Sequence, residues 1–223
     1  MVKFCRFSII LVFLFFSCAG LQPQHEEITA EPELVILPQV IPQQIIPLLP
    51  PEKPPPPDSI MGKGRVDGEN LALFLEKNNF QAQSDFVRTL SLIYIEEAEY
   101  EGVNHDIAFA QMCLETGFLK YGGLVNPELN NFCGLGAIGP QQPGLIFPDP
   151  RTGVRAHIQH LKAYATEETL NGELVDPRYR FVRKGSSPTI EGLSGTWAVD
   201  KQYSEKISGI LERLYNFYFE NNI

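Results

Sequence analysis

Positive charge is scarce in this chain: 18 Lys and Arg stand against 27 Asp and Glu, a formal net charge of −9 at pH 7. That deficit argues against nucleic acid as a partner, because binding to phosphates depends on Lys and Arg displacing counterions. It also leaves any anionic polymer to be held by shape and hydrogen bonds. Tryptophan occurs once, at Trp197. Of the histidines, His105 lies in the first turn of a predicted helix, and His157 and His160 are three apart on another. No acidic or cysteine ligand set stands beside them, so no metal site is expected. Neither a Gly-rich phosphate loop nor a Ser/His/Asp order stands out, and no cofactor is implied. Cysteine occurs only four times. Cys5 falls in a leader and Cys18 directly follows it, which leaves Cys113 and Cys133, twenty residues apart in apolar surroundings. A disulfide and two buried free thiols are equally admissible there.

The 223 residues suit one folded domain plus an extra segment, and an aromatic content of 11% is enough for a sizeable core. Residues 1–17 read as an export signal, with Lys3 and Arg6 ahead of the apolar run Phe7 to Phe16. That run is too short to span a membrane. Ser17-Cys18 at its end is similar to the cleavage and lipidation site of bacterial lipoproteins, which implies a mature chain anchored through an acylated Cys18. An ordinary signal peptide with an incidental cysteine is the other reading. Loss of residues 1–17 makes the net charge two units more negative, since Lys3 and Arg6 are their only charged residues. Residues 18–60 carry eleven of the eighteen prolines, including Pro54 to Pro57, and show no helical or strand period. This segment reads as a tether between the membrane and a domain over residues 61–223.

From about residue 67 the apolar spacing becomes helical. Leu71, Phe74 and Leu75 mark a short helix ending at Asn78-Asn79, and Phe86, Leu90, Ile93, Tyr94 and Ala98 a second, closed by Gly102. Asn104 caps a third over about 105–116. After a Gly- and Pro-rich stretch, Val154, Ile158, Leu161 and Ala165 share one stripe. Ser187-Pro188 predicts a short helix to about Gly195. Ile207 to Tyr218 form the last. The expected fold is mainly α, about six helices around a buried one with a small irregular or β-rich lobe.

The helix over 105–116 is apolar nearly all round, so it is buried. Past its first turn the polar side chains are Gln111 and Glu115, four apart and therefore on one stripe. They share a cleft or an internal polar site. Burial and the negative end of the helix dipole both favour the protonated form of Glu115. A carboxyl kept protonated near neutral pH is suited to protonating a leaving oxygen. A buried Glu paired to a base, or donating to a carbonyl, satisfies the same pattern.

The run Ala110-Gln111-Met112-Cys113-Leu114-Glu115-Thr116-Gly117, then Asn131-Phe132-Cys133-Gly134-Leu135, then Trp197 to Ile207, resembles the glucosaminidases of glycoside hydrolase family 73. The resemblance covers about residues 60–218. It implies a lysozyme-like α+β fold and cleavage of peptidoglycan after N-acetylglucosamine without a cofactor. The resemblance also implies that Glu115 is the general acid and that Gln111, Asn131, Phe132 and Gly134 shape or line the substrate cleft. The chain is expected to be a monomer, held at a bacterial envelope membrane by the anchor that the leader implies. Tyr203 would act near the reaction centre, and Trp197 would be a sugar platform or part of the core. Several family members carry a second carboxylate in the small lobe, but residues 136–144 contain no acid. Asp149 is the nearest candidate base. The alternatives for Asp149 are a helix cap or a partner of Arg151, with the substrate's N-acetyl group as nucleophile. A lytic transglycosylase and a non-catalytic wall-binding lipoprotein remain the rival functions. Arg178, Arg180, Arg183 and Lys184 form a basic stretch that is either a solvated loop or a holder of peptide carboxylates.

Overall fold

The computed structural model describes residues 53–122, 126–139 and 141–222. The chain divides into two units, Met1–Leu48 and Leu49–Ile223, and every described residue lies in the second. The export signal, Cys18 and all but the end of the tether lie outside the described residues. Among the described residues no helix is long and apolar enough to cross a membrane.

The described residues of the domain form five α-helices: α1 Gly68–Asn78, α2 Ser84–Glu101, α3 His105–Thr116, α4 Pro150–Ala165 and α5 Tyr203–Asn221. Local chemistry sets their ends. Asp67 caps α1 by accepting from the Asn70 N–H, and Asn104 caps α3 by accepting from the N–H groups of Asp106 and Ile107. Gly102 stops α2 with φ 76°, a left-handed value that costs glycine nothing. Helix α4 begins Asp149-Pro150, cap followed by a proline whose missing N–H is not needed in a first turn.

Helix α3 is the axis of the packing, with α2, α4 and α5 around it. Ile107, Ala108, Phe109, Ala110, Met112 and Cys113 are fully buried; Phe109 alone contributes on the order of 2–3 kcal/mol by leaving water. The start of α3 is tied down through Asp106. Its carboxylate accepts from the backbone N–H groups of Arg65 (2.7 Å) and Val66 (3.2 Å) and from the Tyr215 hydroxyl of α5 (2.8 Å). Burial pushes the Tyr215 hydroxyl up, and the Asp106 charge adds to the effect.

Helices α2 and α4 are joined by charge. Lys162 Nζ donates to Glu101 at 2.9 Å, both ends buried, and Glu101 also accepts from the N–H groups of Asn171 and Gly172. Glu97 receives Arg151 and Arg155 at 2.7–3.1 Å. Burial disfavours these two carboxylates, but the bonds from Arg155 and Arg151 to Glu97, and from Asn171 N–H, Lys162 and Gly172 N–H to Glu101, outweigh it and hold both below the usual range. Gly153 lets α4 lie against the chain at Asn130: a Cβ there would stand 1.7 Å from the Asn130 carbonyl oxygen.

Two expectations change. The helix predicted from Ser187-Pro188 is only a single 3-10 turn, Glu191–Leu193. The Ser187 hydroxyl donates to the Gly192 carbonyl, and the flanking backbone is spent on residues 58–60: Ile60 N–H donates to Pro188 and Ile190 N–H to Asp58. The same bonds carry residues 58–60, assigned to the tether, into the domain, where Ile60 is fully buried. The small lobe is irregular. Among the described residues its one β-bridge pairs Gly139 with Gln142, and Leu145 N–H donates to the Leu135 carbonyl.

Candidate active site

Glu115 stands in the last turn of α3, half-buried. Immediately beyond it the backbone is left-handed at Gly117, Phe118, Leu119 and Tyr121 (φ 46–59°). Three of these are not glycine, a conformation that costs of order 1 kcal/mol or more each. Other groups hold it. Thr116 Oγ1 donates to the Met112 carbonyl and accepts from Leu119 N–H, Phe118 N–H donates to the Cys113 carbonyl, and Asn79 donates to the Phe118 carbonyl. Phe118 packs edge-on against Phe74. The helix therefore stops one residue after Glu115 and its end is fixed.

Tyr203 opens α5, and its hydroxyl donates to Glu115 Oε1. Gln111 Nε2 donates to the same hydroxyl oxygen (2.8 Å), Gln111 Oε1 meets His157 Nε2 (2.9 Å), and His157 Nδ1 meets the Tyr94 hydroxyl (3.0 Å). Burial pushes the Glu115 carboxyl up; bonds from Tyr203 and Trp197 oppose this without cancelling it. Burial, helped by His160, pushes the His157 imidazole down to about 3, so it is neutral at physiological pH. Tyr203 and Tyr94 are held well above their usual range by burial.

A cleft of about 270 Å³ opens beside this cluster, bordered by Gly134, Gly136, Ile138, Tyr164, Arg178 and Trp197, with Cys133 and His160 among its further lining. Gly134, at φ 68°, brings its backbone against the acid: a Cβ there would lie 3.6 Å from Glu115 Oε2. Trp197 is half-buried and packs on His157, His160 and Tyr164 with ring centroids 5.1–5.8 Å apart. His160 is set by Asp176 (2.6 Å), which also accepts from Arg178 N–H.

The sequence signature described as mannosyl-glycoprotein endo-beta-N-acetylglucosaminidase matches residues 91–216, a span that holds Glu115, the cleft and the hydrogen-bonded chain. The chain belongs to this glucosaminidase family. It is also similar to an uncharacterized protein of Borreliella burgdorferi strain B31, 42% identical over 158 residues, which is 71% of this chain and 78% of the relative. More remote likenesses are two crystal structures of Staphylococcus aureus autolysin E, one with the muropeptide NAM-L-Ala-D-iGlu and one a catalytic mutant with the disaccharide NAG-NAM. Each has 13% identity and a TM-score of 0.46 and covers 71% of both chains. The glucosaminidase family makes this chain a glycoside hydrolase.

Within the glucosaminidase domain, Glu115 and Tyr203 come together, and Gly134 and Trp197 line the cleft. Three other expected contacts need correction. Gln111 is fully buried, with its amide engaged by Tyr203 and His157. Asn131 is buried too: it accepts from Leu135 N–H and donates to the Leu135 and Leu145 carbonyls. It pins the lobe and has no free N–H for a sugar. Phe132 is core, 1% exposed. Asp149 takes the capping alternative. Its oxygens accept from Thr152 N–H (2.8 Å) and Thr152 Oγ1 (3.0 Å), and the bond from the Thr152 backbone chiefly holds its carboxyl below the usual range.

Cys113 and Cys133 are two free, buried thiols, both pushed up by burial. Sequence reasoning missed the parts played by Tyr94 and His157. Tyr94 lay on the apolar stripe of α2, which signalled its burial, but nothing local signals that residues 94, 111 and 157 converge.

Proposed function

We propose that this domain is a peptidoglycan hydrolase, an endo-β-N-acetylglucosaminidase that cuts the β-1,4 bond between N-acetylglucosamine and N-acetylmuramic acid, with Glu115 as general acid. The observation that carries the reading is the half-buried Glu115 carboxyl, raised in pKa, at a fixed helix end beside an aromatic-lined cleft. Such a group delivers a proton to the glycosidic oxygen as the C1–O bond breaks.

Asp149 is occupied as a cap, which favours assistance by the substrate. The N-acetyl carbonyl oxygen attacks C1 as Glu115 protonates the leaving oxygen. Glu115, now a carboxylate, then takes a proton from the water that opens the resulting oxazolinium ion, whose nitrogen keeps its proton throughout. Tyr203 orients Glu115 throughout, and Trp197 and Ile138 offer apolar surface to the sugar faces.

Mass spectrometry of digested wall fragments tests the bond that is cut. Reducing-end N-acetylglucosamine supports the reading, anhydro-muramyl ends would assign a lytic transglycosylase, and no cleavage would leave a wall-binding protein. We propose further that Cys18 is acylated and ties the domain to an envelope membrane. Labelled palmitate should then enter the wild type and not Cys18→Ser; equal labelling overturns the anchor.

A further inference from the structure

The hydrogen bonds from Tyr94 to Glu115 form one chain, and its closed end decides which way every proton in it points. Tyr94 is fully buried, and among the described residues its hydroxyl has one partner, His157 Nδ1. A buried hydroxyl with one partner spends its proton there, because an O–H left without an acceptor costs more than an empty lone pair. His157 Nδ1 is then the acceptor, so the proton of the neutral ring sits on Nε2. That N–H donates to Gln111 Oε1, which leaves Gln111 Nε2 as donor to Tyr203, whose own hydrogen goes to Glu115 Oε1. Once Oε1 accepts from Tyr203, the proton that Glu115 transfers resides on Oε2. Oε2 is the oxygen beside Gly134, a residue that lines the cleft.

We propose that Tyr94 and His157 are positioning residues which, through Gln111, direct the Tyr203 hydroxyl proton onto Glu115 Oε1 and so present the transferable proton of Glu115 on Oε2, toward the substrate. This rests on the assignment of Glu115 as general acid. The reversed chain, with Glu115 donating to Tyr203 and His157 protonated on Nδ1, would withdraw that proton from the cleft and leave the Tyr94 O–H unpaired.

Titratable groups face the chain from each side: Cys113 in α3, Tyr121 beyond it, Cys133 in the lobe and His160 on α4. Burial pushes both thiols well up and Tyr121 up to about 12, so these three stay protonated through neutral pH. His160 on α4 is held by Asp176 at 2.6 Å.

Nitrogen-15 NMR of the histidine-labelled wild type reads the direction without any assay of activity. A neutral His157 protonated on Nε2 is expected, and the Nδ1–H tautomer would overturn the proposal even in an active enzyme. In kinetics on wall fragments, His157→Met, checked for folding by its melting transition, should lower kcat about two- to tenfold with KM unchanged. It should also move the basic limb of the kcat profile up by a few tenths of a pH unit, because the donation to ionised Glu115 loses its cooperative support. His157→Gln, which restores an N–H toward Gln111, should recover most of both. Wild-type kcat and limb in a folded His157→Met, or equal losses in the Met and Gln variants, would refute the positioning role. An inactive wild type would instead count against the hydrolase reading.

Discussion

The Tyr203 hydroxyl donates to Glu115 Oε1 across 88 residues of sequence, joining the end of α3 to the start of α5. A bond to an ionised carboxylate is worth about 1.5–3 kcal/mol. It stabilises the charged form of Glu115 against the burial that raises its pKa.

Tyr203→Phe should therefore weaken the enzyme and shift its pH dependence together. The general acid works while protonated, so activity falls as pH rises through its pKa. Without the hydroxyl that pKa climbs further, and the basic limb of the kcat profile moves to higher pH by about one unit. The plateau drops by about ten- to a hundredfold as the carboxyl loses its orientation. A pH–rate series on purified wall fragments checks both, and a limb shifted to lower pH would contradict the assigned donor.

Glu115→Gln should stabilise the fold increasingly as pH rises. The folded carboxyl titrates above its unfolded value, so it contributes most at low pH and loses that contribution as pH climbs through the folded pKa. The neutral amide has no such loss. Melting temperatures of both proteins across pH 4–8 should diverge in favour of the Glu115→Gln variant toward the alkaline end. A constant gap would mean that Glu115 has an ordinary pKa.

Asp149 separates a cap from a base. As a cap, Asp149→Ala costs about 1 kcal/mol of stability, and Asp149→Asn, which can still accept from the Thr152 N–H, costs less. In both variants kcat should stay within a few-fold of wild type. Chemical denaturation with steady-state assays makes the comparison, and a loss of a hundredfold in a folded Asp149→Asn would restore it as the base.

What the sequence disclosed follows the range of the interactions involved. Asn104 before α3 and Gly102 after α2 act within one turn, so their patterns were readable and the helix ends lie where they put them, while Asp149-Pro150 admitted both a cap and a base until the bonds to Thr152 were seen. The burial of α3 and the pairing of Gln111 with Glu115 on one stripe were equally legible, because helical period decides them. Ser187-Pro188 misled because Ser187 turns to Gly192 and the nearby backbone to residues 58–60, contacts more than a hundred residues away. The left-handed stretch after Glu115 was unreadable because residue types there do not announce it. Phe118 and Leu119 carry no local preference for it and are held by Thr116, Asn79 and Phe74. Asn131 lay in a motif, but only its bonds to Leu135 and Leu145 show that it supports the lobe.

The assignment of Glu115 as general acid is tested most directly by the turnover of folded Glu115→Gln on purified peptidoglycan. Loss of a positioned acid should lower kcat by about a hundredfold or more with the melting temperature kept or raised. Release of glycan fragments at the wild-type rate by that folded variant would contradict the account.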